Sequence, residues 1–94
     1  MAERLSDQEI DAGIGRLASG WRREGEALIH EERLADFAAA LARLNAIAAL
    51  AEEAGHHPAL ELHGWNGLRV RLSTHSAGGI TSLDLALAAA IDDL

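Results

Sequence analysis

From Leu34 to Ala54 the chain carries neither glycine nor proline, while Phe37, Leu41, Leu44, Ile47, Ala48 and Ala51 recur at helical spacing. That recurrence predicts a helix of roughly 20 residues spanning about 30 Å. Its polar face is narrow, so the wide Ala-rich surface is expected to be covered by a sheet on one side and by a second subunit on another. The whole chain has 94 residues, which predicts a single domain over 1–94 with a modest core. Hydrophobic residues make up 49% of it but aromatics only 3%. A core built from Ala and Leu relies on close helix packing and on partner surface, and a homodimer or homotetramer is expected.

The remaining elements follow from local signals. Ser6 and Glu9 form a capping-box pattern ahead of Ile10, Ile14 and Leu17, predicting a helix from about Asp7 to Ala18 that Gly13 and Gly15 weaken. Gly20 releases the chain into Trp21 to Glu24, and Gly25-Glu26 turns it into the run Ala27 to Arg33, a β-hairpin. Gly55 and Pro58 stop the long helix. Leu60 and Leu62, then Leu68, Val70 and Leu72, alternate with polar residues about a turn that includes Asn66-Gly67, a second hairpin with one buried and one wet face. Thr81 caps a last helix carrying Leu83, Leu85, Leu87, Ala88 and Ile91. The order α-β-β-α-β-β-α predicts an α+β two-layer domain, a four-stranded mostly antiparallel sheet with helices on one face.

Charge and composition exclude several functions. A formal charge of −7 with scattered basic residues lacks the footprint needed to grip a phosphate backbone, so direct nucleic-acid binding is not expected. Without cysteine there is no disulfide framework and no thiolate metal site. Met1-Ala2-Glu3-Arg4 lacks the basic and apolar regions of an export signal, and Asp36, Arg43 and Asn45 spoil the long helix as a membrane span. A cytoplasmic protein without membrane association is expected.

Chemistry concentrates at Glu52, His56-His57-Pro58, His75 and Asp84. Imidazoles titrate near neutral pH, so such a set suits proton transfer. Each residue also has an ordinary structural explanation. Gly-His-His-Pro is a helix stop, Asp84 fits the acidic slot of a first helical turn, Glu52 can be a solvated last-turn residue, and His75 falls on the wet face at a strand end. Together they point further. Glu52 lies one helical turn before His56 and can orient an imidazole. His57 is held by Pro58 in a position open to ligand, and the Gly-rich loop between His75 and Asp84 brings both near one sheet edge. Metal ligation by His57, His75 and Asp84 is disfavoured because no His-Glu-x-x-His pair occurs. Ser73, Thr74 and Ser76 flank His75 without a nucleophile elbow. Metal-free acid and base catalysis fits best.

The spacing Glu52, three residues, His56-His57-Pro58, six residues, Trp65, nine residues, His75, eight residues, Asp84 resembles the signature of the pterin-4a-carbinolamine dehydratases. Gly20-Trp21, Asp36-Phe37, Ser73-Thr74-His75 and Gly78-Gly79-Ile80-Thr81 look like further family landmarks, so the resemblance covers nearly the whole chain. It implies dehydration of 4a-hydroxytetrahydrobiopterin to a quinonoid dihydropterin in tetrahydrobiopterin recycling, with no metal or organic cofactor. It also implies that His56, His57 and His75 line a pterin pocket, that Asp84 supports them, and that Glu52, Pro58, Ser73, Thr74 and Ser76 contribute to substrate binding. Within that frame His57 and His75 are expected to flank the reacting carbon, His56 and Glu52 to position the ring, and Asp84 to stabilise an imidazolium. The alternative is a non-catalytic interaction scaffold, as for relatives that serve as transcription dimerisation cofactors or Rubisco assembly factors.

Overall fold

The computed structural model describes residues 2–94, and among these it holds three α-helices and four strands in the order α-β-β-α-β-β-α. Helix α1 (Asp7–Gly15) starts at Ser6, whose Oγ accepts from the Glu9 N–H at 3.2 Å while the Glu9 carboxylate accepts from the Ser6 N–H at 2.9 Å. It ends three residues short of the predicted Ala18. Arg16 and Leu17 close a tighter final turn onto Gly13 and Ile14, as glycines with low helix propensity allow. Gly13 has a second reason to lack a side chain. A Cβ there would stand 2.4 Å from Leu85 Cδ1, so the glycine lets α1 close onto the last helix.

Strands β1 (Trp21–Glu24) and β2 (Ala27–Arg33) form the predicted hairpin, with Gly25 at φ 58° in the turn. Helix α2 (Phe37–Ala54) begins later than the periodicity suggests. Asp36 accepts from the Ala39 N–H at 2.8 Å as its cap, and Leu34 is held outside by Asn66, which exchanges two hydrogen bonds with its backbone at 2.9 Å each. Gly55 at φ 64° ends α2 in the left-handed conformation. Strands β3 (Ala59–His63) and β4 (Gly67–Leu72) form the second hairpin, and α3 (Ser82–Asp92) closes the chain from a Thr81–Asp84 capping box.

The sheet order is β1-β2-β4-β3, antiparallel throughout, which makes β2 and β4 the central pair. Period-two alternation then sorts the faces. Trp21, Leu28, Leu68, Val70 and Leu72 pack with Ile47 and Ala51 of α2 and Leu87, Ala88 and Ile91 of α3 to form the core. On the opposite face Glu31 and Glu61 flank Arg69 in register, and Arg22 continues the row, giving ion pairs at 3.2, 3.0 and 2.8 Å across the four strands. No helix among the described residues is long and apolar enough to cross a membrane.

Two measurements follow from this construction. Leu72 is fully buried opposite Leu28 in the central pair, so Leu72→Ala should lower the unfolding free energy by about 2–5 kcal/mol in urea titration. The second concerns acid. Arg23 beside Asp7 and Arg69 beside Glu31 hold those carboxyls below their ordinary values of 3.8 and 4.5. Carboxyl groups lowered by folding stabilise fully above the ordinary values and lose that contribution as pH falls through the folded ones. Thermal melts should therefore drop between roughly pH 5 and pH 2, and less steeply for Glu31→Gln than for the parent. Equal slopes would contradict the role given to the ion-pair row.

Candidate active site

The helix stop after α2 separates two adjacent imidazoles. The Gly55 and His56 N–H groups return to the carbonyls of Glu52 and Ala51 at 3.2 and 3.1 Å, and the chain then runs to Pro58, which favours extended backbone in the residue before it. Neighbouring side chains of an extended segment point to opposite sides. His56 turns inward, with 12% of its side chain exposed, and His57 outward, with 63% exposed.

His56 meets Asp84 from the first turn of α3, with Nε2 2.6 Å from Oδ1. Asp84 is completely buried, and its Oδ2 accepts from Thr74 Oγ1 at 2.8 Å and from the Thr81 N–H at 2.9 Å. Thr74 and Thr81 hydroxyls are themselves 2.8 Å apart. A buried carboxylate needs such partners because an unpaired charge in the interior costs several kcal/mol or more. An ionised carboxylate only accepts, so in this contact His56 donates from Nε2.

His57 meets Glu52 instead, with Nε2 2.7 Å from Oε1. One helical turn of separation suggests that Glu52 orients His56. The left-handed Gly55 redirects the chain, and the imidazole that Glu52 orients is the next one, while His56 is taken by Asp84.

His75 does not end a strand. Strand β4 stops at Leu72, Thr74 bridges Gly79, and His75–Ala77 form a 3-10 turn that Gly78 closes at φ 71°. His75 is exposed at the start of that loop. Because Thr74 is bound to Asp84 and His75 follows it directly, the carboxylate that holds His56 also holds the base of the His75 loop.

An open pocket of about 490 Å³ lies between these segments, and His57, Pro58, Ser73 and His75 line it together with Glu26 and Arg71. His56 lines a second, smaller cavity of about 230 Å³ between α2 and α3. Thr74 and Asp84 are buried behind the site, Glu52 stands outside the first pocket on His57, and Ser76 is exposed and lines neither cavity. Trp65, part of the spacing pattern, is exposed in the β3–β4 turn. Among the described residues no three His, Asp or Glu side chains are grouped as metal ligands.

Glu26 and Arg71 escaped the sequence reading. Glu26 sits in a two-residue turn, where polarity carries no message, and Arg71 reads as one more outward residue of an alternating strand. Only the β2–β4 register brings them to the pocket, where Ser73 Oγ donates to the Glu26 carbonyl at 2.7 Å. The turn signal at Gly25-Glu26 and the register together would have been needed to find them.

Comparison with known proteins agrees with this architecture. The family model for Pterin 4 alpha carbinolamine dehydratase matches residues 3–94. A protein of Roseiflexus sp. (strain RS-1) named "Putative pterin-4-alpha-carbinolamine dehydratase" is 43% identical over all of this chain and 99% of its own, and one of the same name from Chloroflexus aurantiacus (strain ATCC 29366 / DSM 635 / J-10-fl) is 44% identical over 97% of this chain and 96% of its own. Among solved structures, a transcriptional coactivator/pterin dehydratase from Brucella Melitensis superposes with a TM-score of 0.88 at 30% identity, covering 97% of each chain. A pterin dehydratase-like protein identified as a RuBisCO assembly factor in the alpha-carboxysome gives 0.64 at 28% identity, covering 79% of this chain and 87% of that one. The chain thus belongs to the pterin 4 alpha carbinolamine dehydratase family.

Proposed function

We propose that this protein dehydrates a 4a-hydroxytetrahydropterin, in the first instance 4a-hydroxytetrahydrobiopterin, to the quinonoid dihydropterin and water. The observation that carries the reading is that His57 and His75, from separate segments, line one pocket. The C4a–O bond breaks as an acid delivers a proton to the departing hydroxyl, and a base removes a ring N–H proton, so that one water leaves and the ring keeps its electrons. Two imidazoles can divide this work, each transfer contributing typically about 10²- to 10⁴-fold. Glu52 orients His57 while leaving it open to solvent, and Pro58 and Ser73 complete the walls.

Asp84 and His56 act one layer further back on this reading. Their contact ties the backbone carrying His57 to the backbone carrying His75, with Thr74 as the intermediate, so they are positioning residues rather than groups that touch the ring. Ser76 is placed on the solvent side of the His75 loop and contributes to binding only through that loop. The reading includes a cytoplasmic homodimer or homotetramer acting in tetrahydrobiopterin recycling, without a metal or organic cofactor.

A second reading is favoured by one feature. Phe37 and Leu41, one turn apart on α2, and separately Leu83 of α3 are 53%, 41% and 42% exposed, apolar side chains suited to self-association or to a role like that of the RuBisCO assembly factor. Stopped-flow decay of the carbinolamine separates the two. His57→Ala with His75→Ala should remove all acceleration over spontaneous dehydration, and each single change should slow it by about 10²-fold or more. A double variant as fast as the parent would leave the scaffold reading standing. Asp84→Ala should lower activity and also stability, by about 3–5 kcal/mol, since it strips the partner from a half-enclosed imidazole and two threonines. A variant with full activity and an unchanged denaturation midpoint would contradict the positioning role.

A further inference from the structure

The pocket is lined by one guanidinium that no carboxylate among the described residues pairs with. Arg4, Arg22, Arg23, Arg43 and Arg69 each have a carboxylate oxygen at 2.7 to 2.9 Å. Arg71 has no such pair among the described residues, and its register explains why. Two residues back on the same strand, Arg69 lies between Glu31 and Glu61, whereas Arg71 lies between Ile29 and Ala59. Arg16 and Arg33 are also outside carboxylate pairs, but neither lines the pocket.

The carboxylate in the lining already has cationic partners. Glu26 Oε1 accepts from Arg4 at 2.7 Å with Arg23 at 3.9 Å, while its Oε2 is buried without a hydrogen-bond partner. Arg71 therefore presents an uncompensated guanidinium to whatever occupies the pocket. Its position is on the sheet side, opposite Ala59, two residues from His57 along β3 and its lead-in. Arg71 lines the same pocket as His57 and His75, so a ring lying between the two imidazoles shares that pocket with the guanidinium. A neutral carbonyl can be met by any donor, but a planar fork carrying full charge matches two oxygens of one anionic group.

We propose that Arg71 is a specificity-determining residue that selects pterins whose side chain bears an anion, a phosphate ester or a carboxylate. This inference rests on the pterin reading of the site. The net charge of −7 repels anions at a distance, so the selection acts at contact and not through long-range steering.

The test is equilibrium binding followed by pterin fluorescence, with 6-methylpterin, 6-carboxypterin and the phosphate ester of 6-hydroxymethylpterin, on the parent, Arg71→Gln and Arg71→Lys. In the parent at least one charged probe should bind about tenfold or more tightly than 6-methylpterin, as a charge-assisted contact provides. The probe with the wider gap identifies the side-chain anion. Arg71→Gln should abolish the gap, Arg71→Lys should retain part of it, and added salt should narrow it in the parent. Equal affinity for all three probes in the parent would overturn the proposal. So would an equal loss for all three in Arg71→Gln, which would mean that the arginine grips the ring itself. A preserved gap without carbinolamine turnover would sink the dehydratase reading and leave anion selection standing, whereas turnover without a gap would do the reverse. Failure of every probe to bind would remove both.

Discussion

One buried carboxylate holds the site together. Asp84 has no exposure to solvent and distributes its two oxygens among His56, Thr74 and the Thr81 backbone, at 2.6 to 2.9 Å. Two of these partners stand next to the residues of greatest chemical interest, since His56 precedes His57 and Thr74 precedes His75. A charge in the interior is tolerable only with its partners in place, so the cost of burying Asp84 enforces the spacing between two segments far apart in sequence. The same side chain closes the N-terminus of α3 in a capping box with Thr81, which ties that spacing to a helix packed in the core.

The other end of α3 is anchored in a similar manner. Asp92 accepts from Trp21 Nε1 at 2.9 Å and from the Ala18 N–H at 2.8 Å, joining the helix to β1 and to the chain leaving α1. Arg43 reaches from α2 to the Ile91 carbonyl at 3.2 Å while pairing with Glu32 of β2 at 2.9 Å. With a carboxylate pinned at each end, α3 has little freedom to slide along the sheet. The pocket therefore inherits its geometry from a helix fixed at two points, which is the support a site on loops requires.

Sequence signals were strongest where the determining interaction is local. Ser6, Asp36, Gly55 and Thr81 cap or stop helices through contacts within four residues; Ser6, Gly55 and Thr81 act where periodicity and composition place them, whereas periodicity runs on past Asp36 to Leu34. The two hairpins were legible for the same reason. The β2–β4 pairing was not, because two hairpins separated by a helix can meet along more than one edge, and only burial of both apolar faces decides which. That pairing is what brings Glu26 and Arg71 to the pocket. The exchange of partners between His56 and His57 was hidden likewise: helical spacing describes residues inside a helix, and the left-handed Gly55 ends its validity one residue too soon. Asp84 was readable as a first-turn acid, and its capping role agrees, but nothing in its spacing tells that the helix start is buried.

The two imidazole–carboxylate pairs differ in a way that bears on the proposed chemistry. His56 and Asp84 form a largely buried pair, with side chains 12% and 0% exposed, where a hydrogen bond is electrostatically strong. His57 and Glu52 form a pair open to water, with side chains 63% and 78% exposed, where the same contact contributes little to stability and leaves the ring accessible to solvent. A catalyst that must take a proton in one step and release it to solvent in the next needs the second environment at the reacting group and the first behind it. The chain supplies both from consecutive residues, because the backbone between Gly55 and Pro58 sends one imidazole to the interior and its neighbour to the pocket.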